Sequence, residues 1–287
     1  MRRLSRATSV HIIIIVVFAL VQLLFAQASD TCIKLLNPPN VPAVFLPDLV
    51  STPADEYGLA VSKDWSEIYF TRIDGDISYI LMVKRHENGW GDPNITSFSR
   101  PGGAAHPWLS VDESEIYFVS RRPCIGAKKT LNVWKSKRHD SEWEEPAAFG
   151  KPFTNETVHA PSVSASGNLY ASGLKCFRKT DEGYLDSEKL NPEIDGSHPA
   201  VSSDEEFIVF SARKPGGYGG NDLYVVFKQV DDKWGEPINL GPKVNTNLVE
   251  SSPTISSDGR VLFFSRNGDI WWVDSDVVHN LNRSIKK

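Results

Sequence analysis

Five ionisable side chains stand just before five apolar segments of this sequence. These residues are Glu56, His106, His159, His198 and Glu250. Neutral imidazoles are natural ligands of divalent metal ions, so the three histidines form a speculative metal set, although no cofactor is required. Two carboxylates about 5–10 Å apart are needed for glycoside hydrolysis, and only the two glutamates are candidates for that chemistry. The alternative is structural, with these side chains capping the ends of strands.

A second set of side chains, all cationic, follows apolar segments instead of preceding them. The set is Arg72, Arg121, Arg213 and Arg266. Arginine binds carboxylates through two parallel hydrogen bonds, so these residues favour an anionic ligand such as a uronic acid or the acidic end of a peptide. The alternative is again structural, because an arginine can simply pair with a neighbouring acid. The elements that hold the two sets decide between these interpretations.

A repeated pattern surrounds both sets. It consists of an apolar residue, Ser, any residue, and Asp or Ser, followed by an aromatic strand that ends in Ser or Thr. The five copies begin at Val61, Leu109, Val163, Val201 and Ile255. Successive aligned serines lie 38 to 54 residues apart, near the roughly 40–50 residues of a four-stranded propeller blade. The pattern predicts an all-β fold, a single β-propeller of five four-stranded blades.

The last copy indicates how the ring closes. Asp and Gly turns separate three strands, predicted over 253–256, 261–265 and 269–273. Repeats one, two and four end in Trp-x-x-Pro; the third lacks this unit, so its outer strands are expected to be irregular. The last copy also lacks it, whereas residues 42–49 have its spacing before the first repeat. They should complete the last blade, with an outer strand at 44–46, which removes an open sheet edge.

Strand direction brings the two sets of ionisable residues together. The first strand of a propeller blade lines the axis, and the second returns antiparallel, so its end lies beside the start of the first. Both sets should therefore surround one mouth of the central channel. Any ligand is expected there, and the three imidazoles would converge on a metal ion only if the channel is narrow.

Other chemistries have little support. The sequence has no Gly-x-Ser-x-Gly, His-Glu-x-x-His, Cys-x-x-Cys or phosphate-loop motif. It has 36 acidic and 31 basic residues, and an acidic balance gives no reason to expect nucleic acid as a partner.

The N-terminus has the three parts of a secretory signal: a basic start, an apolar run over 12–26, and Ala26-Gln27-Ala28. The alternative is an uncleaved anchor, although the run is shorter than the roughly 20 residues of a spanning helix. The predicted division is a signal peptide over 1–28, an N-terminal segment over 29–41, a β-propeller over 42–276 and a C-terminal tail over 277–287. The mature protein is expected to be secreted or periplasmic, without membrane contact.

Export makes a disulfide possible among the three cysteines, Cys32, Cys124 and Cys176. Cys124 and Cys176 follow the second strands of adjacent repeats at the same distance in sequence, which makes them the candidate pair. A bridge needs Cα atoms within about 7 Å, and equivalent points on neighbouring blades can lie farther apart. Cys32 would then be free or bonded to another chain.

Three segments carry a family resemblance. The repeat Ser-x-Asp-(Gly)-x-x-aromatic-Phe-x-Ser-x-Arg, the glycine-rich stretch over 216–224, and Trp234-Gly-Glu-Pro-Ile-Asn-Leu-Gly241 resemble the WD40-like repeat of TolB-type propellers. The resemblance covers about residues 42–273 and is strongest in repeats two, four and five. It implies a bacterial periplasmic or secreted protein that acts as a binding or scaffold module. In TolB itself, a peptide from a partner enters the central channel.

Three functions follow from these observations. The first, which we prefer because no catalytic motif is present, is an extracytoplasmic non-catalytic binding module for a peptide, protein or glycan. The second is a carbohydrate-active hydrolase or lyase at the channel mouth, because ring closure makes repeats one and five, with Glu56 and Glu250, neighbours. The third is a structural surface protein without a specific ligand.

Overall fold

The computed structural model describes residues 37–99, 103–128, 130–191 and 194–285. The predicted signal peptide and Cys32 lie outside these residues. Within them, antiparallel β-sheets dominate, and β1 (Ala43–Val44) is the first strand. The five blades follow it in chain order, as the repeat predicts.

Blades 1 and 2 have the same arrangement of strands. Blade 1 contains β2 (Glu56–Val61), β3 (Glu67–Asp74), β4 (Ile77–His86), β5 (Gly89–Trp90) and β6 (Asn94–Ile95). A 3₁₀ helix over Ser97–Ser99 leads to blade 2, which contains β7 (Ala105–Leu109), β8 (Glu115–Ser120), β9 (Asn132–His139), β10 (Glu142–Trp143) and β11 (Ala147–Ala148). In both blades the fourth position is divided into two short strands that pair with the third.

Blade 3 is irregular, as the missing Trp-x-x-Pro unit predicts. It follows a 3₁₀ helix over Phe153–Asn155 and contains β12 (Ser162–Val163), β13 (Leu169–Ala171), β14 (Lys175–Phe177), β15 (Lys179–Thr180), β16 (Gly183–Tyr184) and β17 (Glu188–Lys189). The pair β15–β16 forms a separate two-stranded sheet. None of these six strands exceeds three residues.

Blades 4 and 5 complete the ring. Blade 4 contains β18 (Ser197–Val201), β19 (Phe207–Ala212), β20 (Asp222–Phe227) and β21 (Ile238–Asn239). Blade 5 contains β22 (Glu250–Ile255), β23 (Val261–Arg266) and β24 (Asp269–Asp274), and β1 is its fourth strand. Ala43 lies opposite Trp272, and the Phe45 amide donates to the Ile270 carbonyl at 2.8 Å. The predicted closure by the N-terminal segment is therefore confirmed.

The second strands of blades 4 and 5 are buried on both faces. Every residue of β19 and of β23 is buried, and their apolar residues run consecutively over 207–210 and 261–264 instead of alternating with polar ones. The buried hydrophobic residues form five clusters, one between each pair of neighbouring blades. Phe45 and Val50 lie in the cluster between blades 5 and 1, so the N-terminal segment supplies core as well as strand pairing.

Two features of the fold differ from the sequence expectation. A helix, α1 (Asp276–Ile285), occupies most of the segment expected to be a polar tail, and its Val278 is fully buried in the cluster between blades 4 and 5. The predicted pair of cysteines is not bridged: Cys124 and Cys176 are both free thiols. Cys176 already lies in β14, whereas Cys124 lies in the long connection between β8 and β9, so the two positions are not equivalent.

No helix of the described residues is long and apolar enough to cross a membrane.

Candidate functional site

Each first strand is bent at the channel by one residue with a left-handed backbone. These residues are Gly58, His106, Ala160, His198 and Ser252, with φ between 46° and 55°. In four of the five blades the next residue is proline, and in blades 1, 2, 4 and 5 the pairing with the second strand shifts register at this point. Such β-bulges re-aim side chains, and a non-glycine residue with positive φ costs free energy that the surrounding structure must supply.

The bulges correct the predicted equivalence of the five starting residues. His106 and His198 are themselves bulge residues, and His159 lies one residue before the bulge of blade 3. Glu56 and Glu250 lie two residues before theirs and begin β2 and β22. The glutamates therefore occupy a different register position from the histidines, and their side chains have different surroundings.

Glu56 is held in a buried network within blade 1. It is 1 % exposed, and its Oε1 accepts from Arg72 Nε at 2.7 Å and from the Thr52 hydroxyl at 2.6 Å. Its Oε2 accepts from the Thr52 amide at 3.1 Å. Both oxygens are thus engaged, and the Arg72 charge is neutralised.

Blade 5 repeats this network at the same sequence spacing. Glu250 is fully buried, and its Oε1 accepts from Arg266 Nε at 2.8 Å and from the Thr246 hydroxyl at 2.6 Å. Arg266 also donates to the Val244 carbonyl, and its guanidinium lies 4.4 Å from the Trp271 ring centroid. We call the two Thr–Glu–Arg networks the latches. They lie in the two blades that meet where the ring closes, and they remove the free carboxylate pair that hydrolysis would need.

The other two arginines of the predicted set are free of such partners. Arg121 and Arg213 each follow the last residue of a second strand, one position beyond the register of Arg72 and Arg266. Both are exposed, and neither forms an ion pair with a described residue. Arg122, not Arg121, is the packed side chain of blade 2: it donates to the Ser120 hydroxyl at 3.0 Å and to the Phe98 carbonyl, and its guanidinium lies over Trp134.

Three rings form a row on the floor of the mouth. The centroids of Tyr57 and His106 are 4.9 Å apart, and those of His106 and His198 are also 4.9 Å apart. Burial and the charges of the other two histidines hold the pKa of His106 well below its ordinary value. Burial, with a smaller effect of His159, lowers the pKa of His198 to about 4. His106 and His198 are therefore uncharged at neutral pH, and the floor that they form carries no charge.

His159 stands apart from this row. Its side chain is more exposed than those of His106 and His198, and partial burial together with the nearby Arg121 guanidinium lowers its pKa. Among the described residues no group of three or more His, Cys, Asp or Glu side chains is placed to hold a metal ion. The speculative metal set of His106, His159 and His198 thus has no supporting geometry.

Below the floor, the channel is closed by Trp108. Its indole Nε1 donates to the Val163 carbonyl at 3.1 Å, and the ring also packs against the cluster between blades 4 and 5. The space between Trp108 and the two histidines has a volume of about 10 Å³, about the smallest cavity that holds one water molecule. The channel at this point therefore has no room for anything larger than a water molecule.

Above the floor lies the mouth cavity, with a volume of about 670 Å³. It is bounded by blades 5 and 1, by Gly220 of the glycine-rich loop of blade 4, and by the segment 247–249. Apolar side chains border it, namely Ile73, Leu248 and Val249, which are 37 %, 41 % and 49 % exposed. Ser265 also lines the cavity, and its hydroxyl is buried without a hydrogen-bond partner among the described residues.

No protein-family model matches the chain, and no curated protein matches it either. Solved structures do resemble it. The GH43 protein BlXynB from Bacillus licheniformis matches with a TM-score of 0.53 at 11 % identity, over 79 % of this chain and 57 % of that chain. The catalytic domain of the GH62 α-L-arabinofuranosidase from Coprinopsis cinerea matches with a TM-score of 0.52 at 10 % identity, over 83 % of this chain and 98 % of that one.

TolB-type propellers are also among the structural neighbours. TolB from Acinetobacter baumannii matches with a TM-score of 0.49 at 12 % identity, over 79 % of this chain and 56 % of TolB. The present chain thus spans little more than half the length of TolB and of the GH43 protein. At such identities the likenesses show the fold alone. Fold and site define a five-bladed β-propeller with a plugged channel and a mouth cavity on one face.

Proposed function

We propose that this protein is an extracytoplasmic, non-catalytic module that binds a peptide or protein segment at the mouth cavity. The observation that carries the proposal is the composition of that cavity. An uncharged floor of rings, a buried hydroxyl without a partner and an apolar border surround an open volume of about 670 Å³. Concave sites of this kind, with few polar groups among apolar ones, are where ligands bind.

The apolar border favours a peptide over a glycan. Exposed large hydrophobic side chains cluster on this face, since Ile73, Ile77, Leu248 and Val249 all lie at or beside the mouth. Exposed apolar patches mark protein interaction sites. A sugar would match the Asn and Ser groups of the cavity but would leave these side chains in water.

Catalysis has less support from the geometry. Glu56 and Glu250 are the carboxylates that the hydrolase hypothesis depends on, and each is buried with both oxygens bonded inside its own latch. A general acid or nucleophile must reach the substrate within hydrogen-bond distance. The structural resemblance to GH43 and GH62 proteins concerns the fold and adds no catalytic residues.

Export is part of the proposal and depends on the predicted signal peptide over 1–28, outside the described residues. The motif there is the usual basic, apolar and small-residue series. Sequencing the N-terminus of the protein released by the producing cell tests it. A first residue of Ser29 is expected, and a protein retained with its first 28 residues would contradict it.

The binding test uses a random peptide library displayed on phage and selected on the immobilised protein. A selected peptide is then titrated by fluorescence anisotropy against three proteins: the wild type, Val249→Asp at the cavity border, and Val230→Asp. Val230 is fully exposed and follows β20, whose end lies on the opposite face. We expect Val249→Asp to weaken binding at least about tenfold, equivalent to about 1.4 kcal/mol, and Val230→Asp to leave it unchanged.

Two results would contradict the proposal. One is equal weakening by both variants, because the peptide would then bind elsewhere. The other is selection of no peptide by a protein that binds a defined sugar on a glycan array, which would assign the mouth to a carbohydrate.

A further inference from the structure

Acidic side chains concentrate in one part of the mouth face. The loops of blades 5 and 1 that reach this face carry exposed Asp55, Asp74 and Asp76 and half-buried Asp269. None of these four forms an ion pair with a described residue. The arginines of the same two blades are neutralised by the latches. We call this part of the face the acidic sector.

Basic side chains concentrate in the remaining part. The loops of blades 2 to 4 on this face carry exposed Arg121, Lys128, Lys151 and Arg213, and none of these forms an ion pair with a described residue. Glu156, an acid of this region, is bound by Lys175 and the Ser187 hydroxyl. We call this part the basic sector. Each sector also has an exposed residue of opposite sign, Lys243 in the acidic one and Asp195 in the basic one.

The mouth cavity lies against the acidic sector. Asp55 and Tyr57 line it from blade 1, and Ser265 and Asn267 line it from blade 5. Ser265 is 6 % exposed, and its hydroxyl has no partner among the described residues. A buried hydroxyl without a hydrogen bond is costly, so this group is suited to a ligand atom that enters the cavity. It points to a ligand independently of the charges.

We infer that the mouth binds a peptide segment with separated charges, its basic end over the acidic sector and its acidic end over the basic sector. The inference rests on the proposed function and adds the charge pattern of the partner. Apolar residues of the segment would lie between the two ends, against Leu248 and Val249, which border the cavity. Complementary charges at an interface set the orientation and association rate of a partner more than the affinity.

The inference replaces the anionic ligand that the sequence alone favours. That expectation rests on the four arginines that the sequence places at one mouth. The structure neutralises two arginines and keeps the His106 and His198 imidazoles uncharged at neutral pH. It also places Asp55 directly at the cavity. A purely anionic ligand would meet this carboxylate without a cation beside it.

Three short peptides test the inference. The first has lysines at one end, glutamates at the other and leucines between; in the second, glutamine replaces glutamate; in the third, glutamine replaces lysine. Anisotropy titrations at low salt should show the first peptide binding at least about tenfold more tightly than either other peptide. The difference should shrink as salt rises, because salt screens exposed charges.

Matched variants assign each charge to its sector. In the double variant Asp55→Asn with Asp76→Asn, the first peptide should no longer bind more tightly than the third, which has glutamine in place of lysine. It should still bind more tightly than the second, which has glutamine in place of glutamate. In the double variant Arg121→Gln with Arg213→Gln, the first peptide should lose its tighter binding relative to the second and keep it relative to the third. The control is Asp181→Asn with Glu182→Gln, which removes two exposed acids in the β15–β16 turn on the opposite face. In this control the first peptide should still bind more tightly than the second and the third.

The outcomes separate this inference from the proposed function. Equal binding of all three peptides, lost in Val249→Asp, would overturn the charge pattern and leave the binding site intact. Binding of the third peptide as tightly as the first would also overturn it, because the lysines would then contribute nothing and an anionic ligand would suffice. An absence of binding by all three, with no peptide selected from the library, would overturn both proposals.

Discussion

Blades 5 and 1 carry a Glu–Arg pair at the register position where blades 2 and 4 carry small residues. Glu56 faces Arg72 and Glu250 faces Arg266 across the first two strands. When the register of the other blades is extended by one residue, Ala104 faces Ser120 and Gly196 faces Ala212. The repeat therefore determines where the strands form. The residue pair at the start of the first strand and the end of the second strand differs between blades, and it divides the ring into a latched part, blades 5 and 1, and an unlatched part.

The difference has a physical reason in the closure of the ring. Blade 5 is assembled from both ends of the described chain, and its contact with blade 1 includes Thr52, Phe45 and Val50 from the N-terminal segment. The hydroxyl and amide of Thr52 bind Glu56, so this latch also holds the segment that carries β1. Blades 2 to 4 are continuous in sequence and need no such link, and Arg121 and Arg213 of these blades are exposed.

The largest expected effect comes from breaking one latch. Glu250→Ala leaves the Arg266 guanidinium, 6 % exposed, without its carboxylate, and an uncompensated buried charge costs about 3–5 kcal/mol of the free energy of unfolding. Urea denaturation measures the loss. The matched control is Glu236→Ala, at an exposed glutamate, for which a change within about 0.5 kcal/mol is expected. A loss below about 1 kcal/mol for Glu250→Ala would show that the latch does not hold the closure.

The next largest effect is expected on the pH dependence of the free energy of unfolding, through His198 in the unlatched part of the ring. His198 has a folded-state pKa of about 4, below the roughly 6.5 of an unfolded chain. As pH falls below 6.5 the unfolded state binds the proton first, so stability is lost until about pH 4, where the folded state also becomes protonated. The shift corresponds to roughly 3 kcal/mol at most.

The variant His198→Asn tests this pH dependence, since asparagine tolerates the positive φ of the bulge. The free energy of unfolding should fall less between pH 6.5 and pH 4 than in the wild type. His139→Asn, at a side chain 78 % exposed, serves as the matched control and should keep the wild-type slope. Identical slopes for wild type and His198→Asn would show that burial in the floor does not lower the pKa of His198.

The smallest effect tests why blade 4 has no latch. A Cβ on Gly196 would lie 2.4 Å from the Phe210 ring, and overpacking of this kind costs about 1–3 kcal/mol. Gly196→Ala should therefore lower the free energy of unfolding by that amount. In a Phe210→Leu background the same substitution should cost less, because the two sites are coupled. Additive costs would contradict the contact.

Much of the fold follows from the sequence because its signals are local and repeated. The Ser-x-Asp turns, the aromatic second strands and the split repeat predict five blades and the pairing of 44–46 with the last blade. The irregular third blade follows from its missing Trp-x-x-Pro unit. Helix α1 was not expected, because its segment is polar and its buried residue Val278 packs against distant strands.

The site was less predictable because it depends on offsets of one or two residues. The sequence places Glu56, Glu250 and the three histidines at one mouth, but it aligned them as equivalents, and only the bulges reveal the shift. A usable signal for the latches was present: Thr, Glu and Arg recur at identical spacing in 52–72 and 246–266. The plug formed by Trp108 and the neutral floor depend on how deeply these side chains are buried between blades. The sequence pattern within a single strand carries no information about that burial.

Closure by β1 also has a consequence for the order of events during synthesis. Val44 finds its partner Trp271 only after more than 200 further residues have been added. At about 5–20 residues per second, that interval is roughly 10–45 s. Throughout it β1 has no strand to pair with and β24 does not yet exist, so the earliest strand of the propeller takes its place last. A pulse-labelled chain stopped before residue 269 should therefore remain sensitive to protease at its N-terminal segment, long after blades 1 to 4 have emerged.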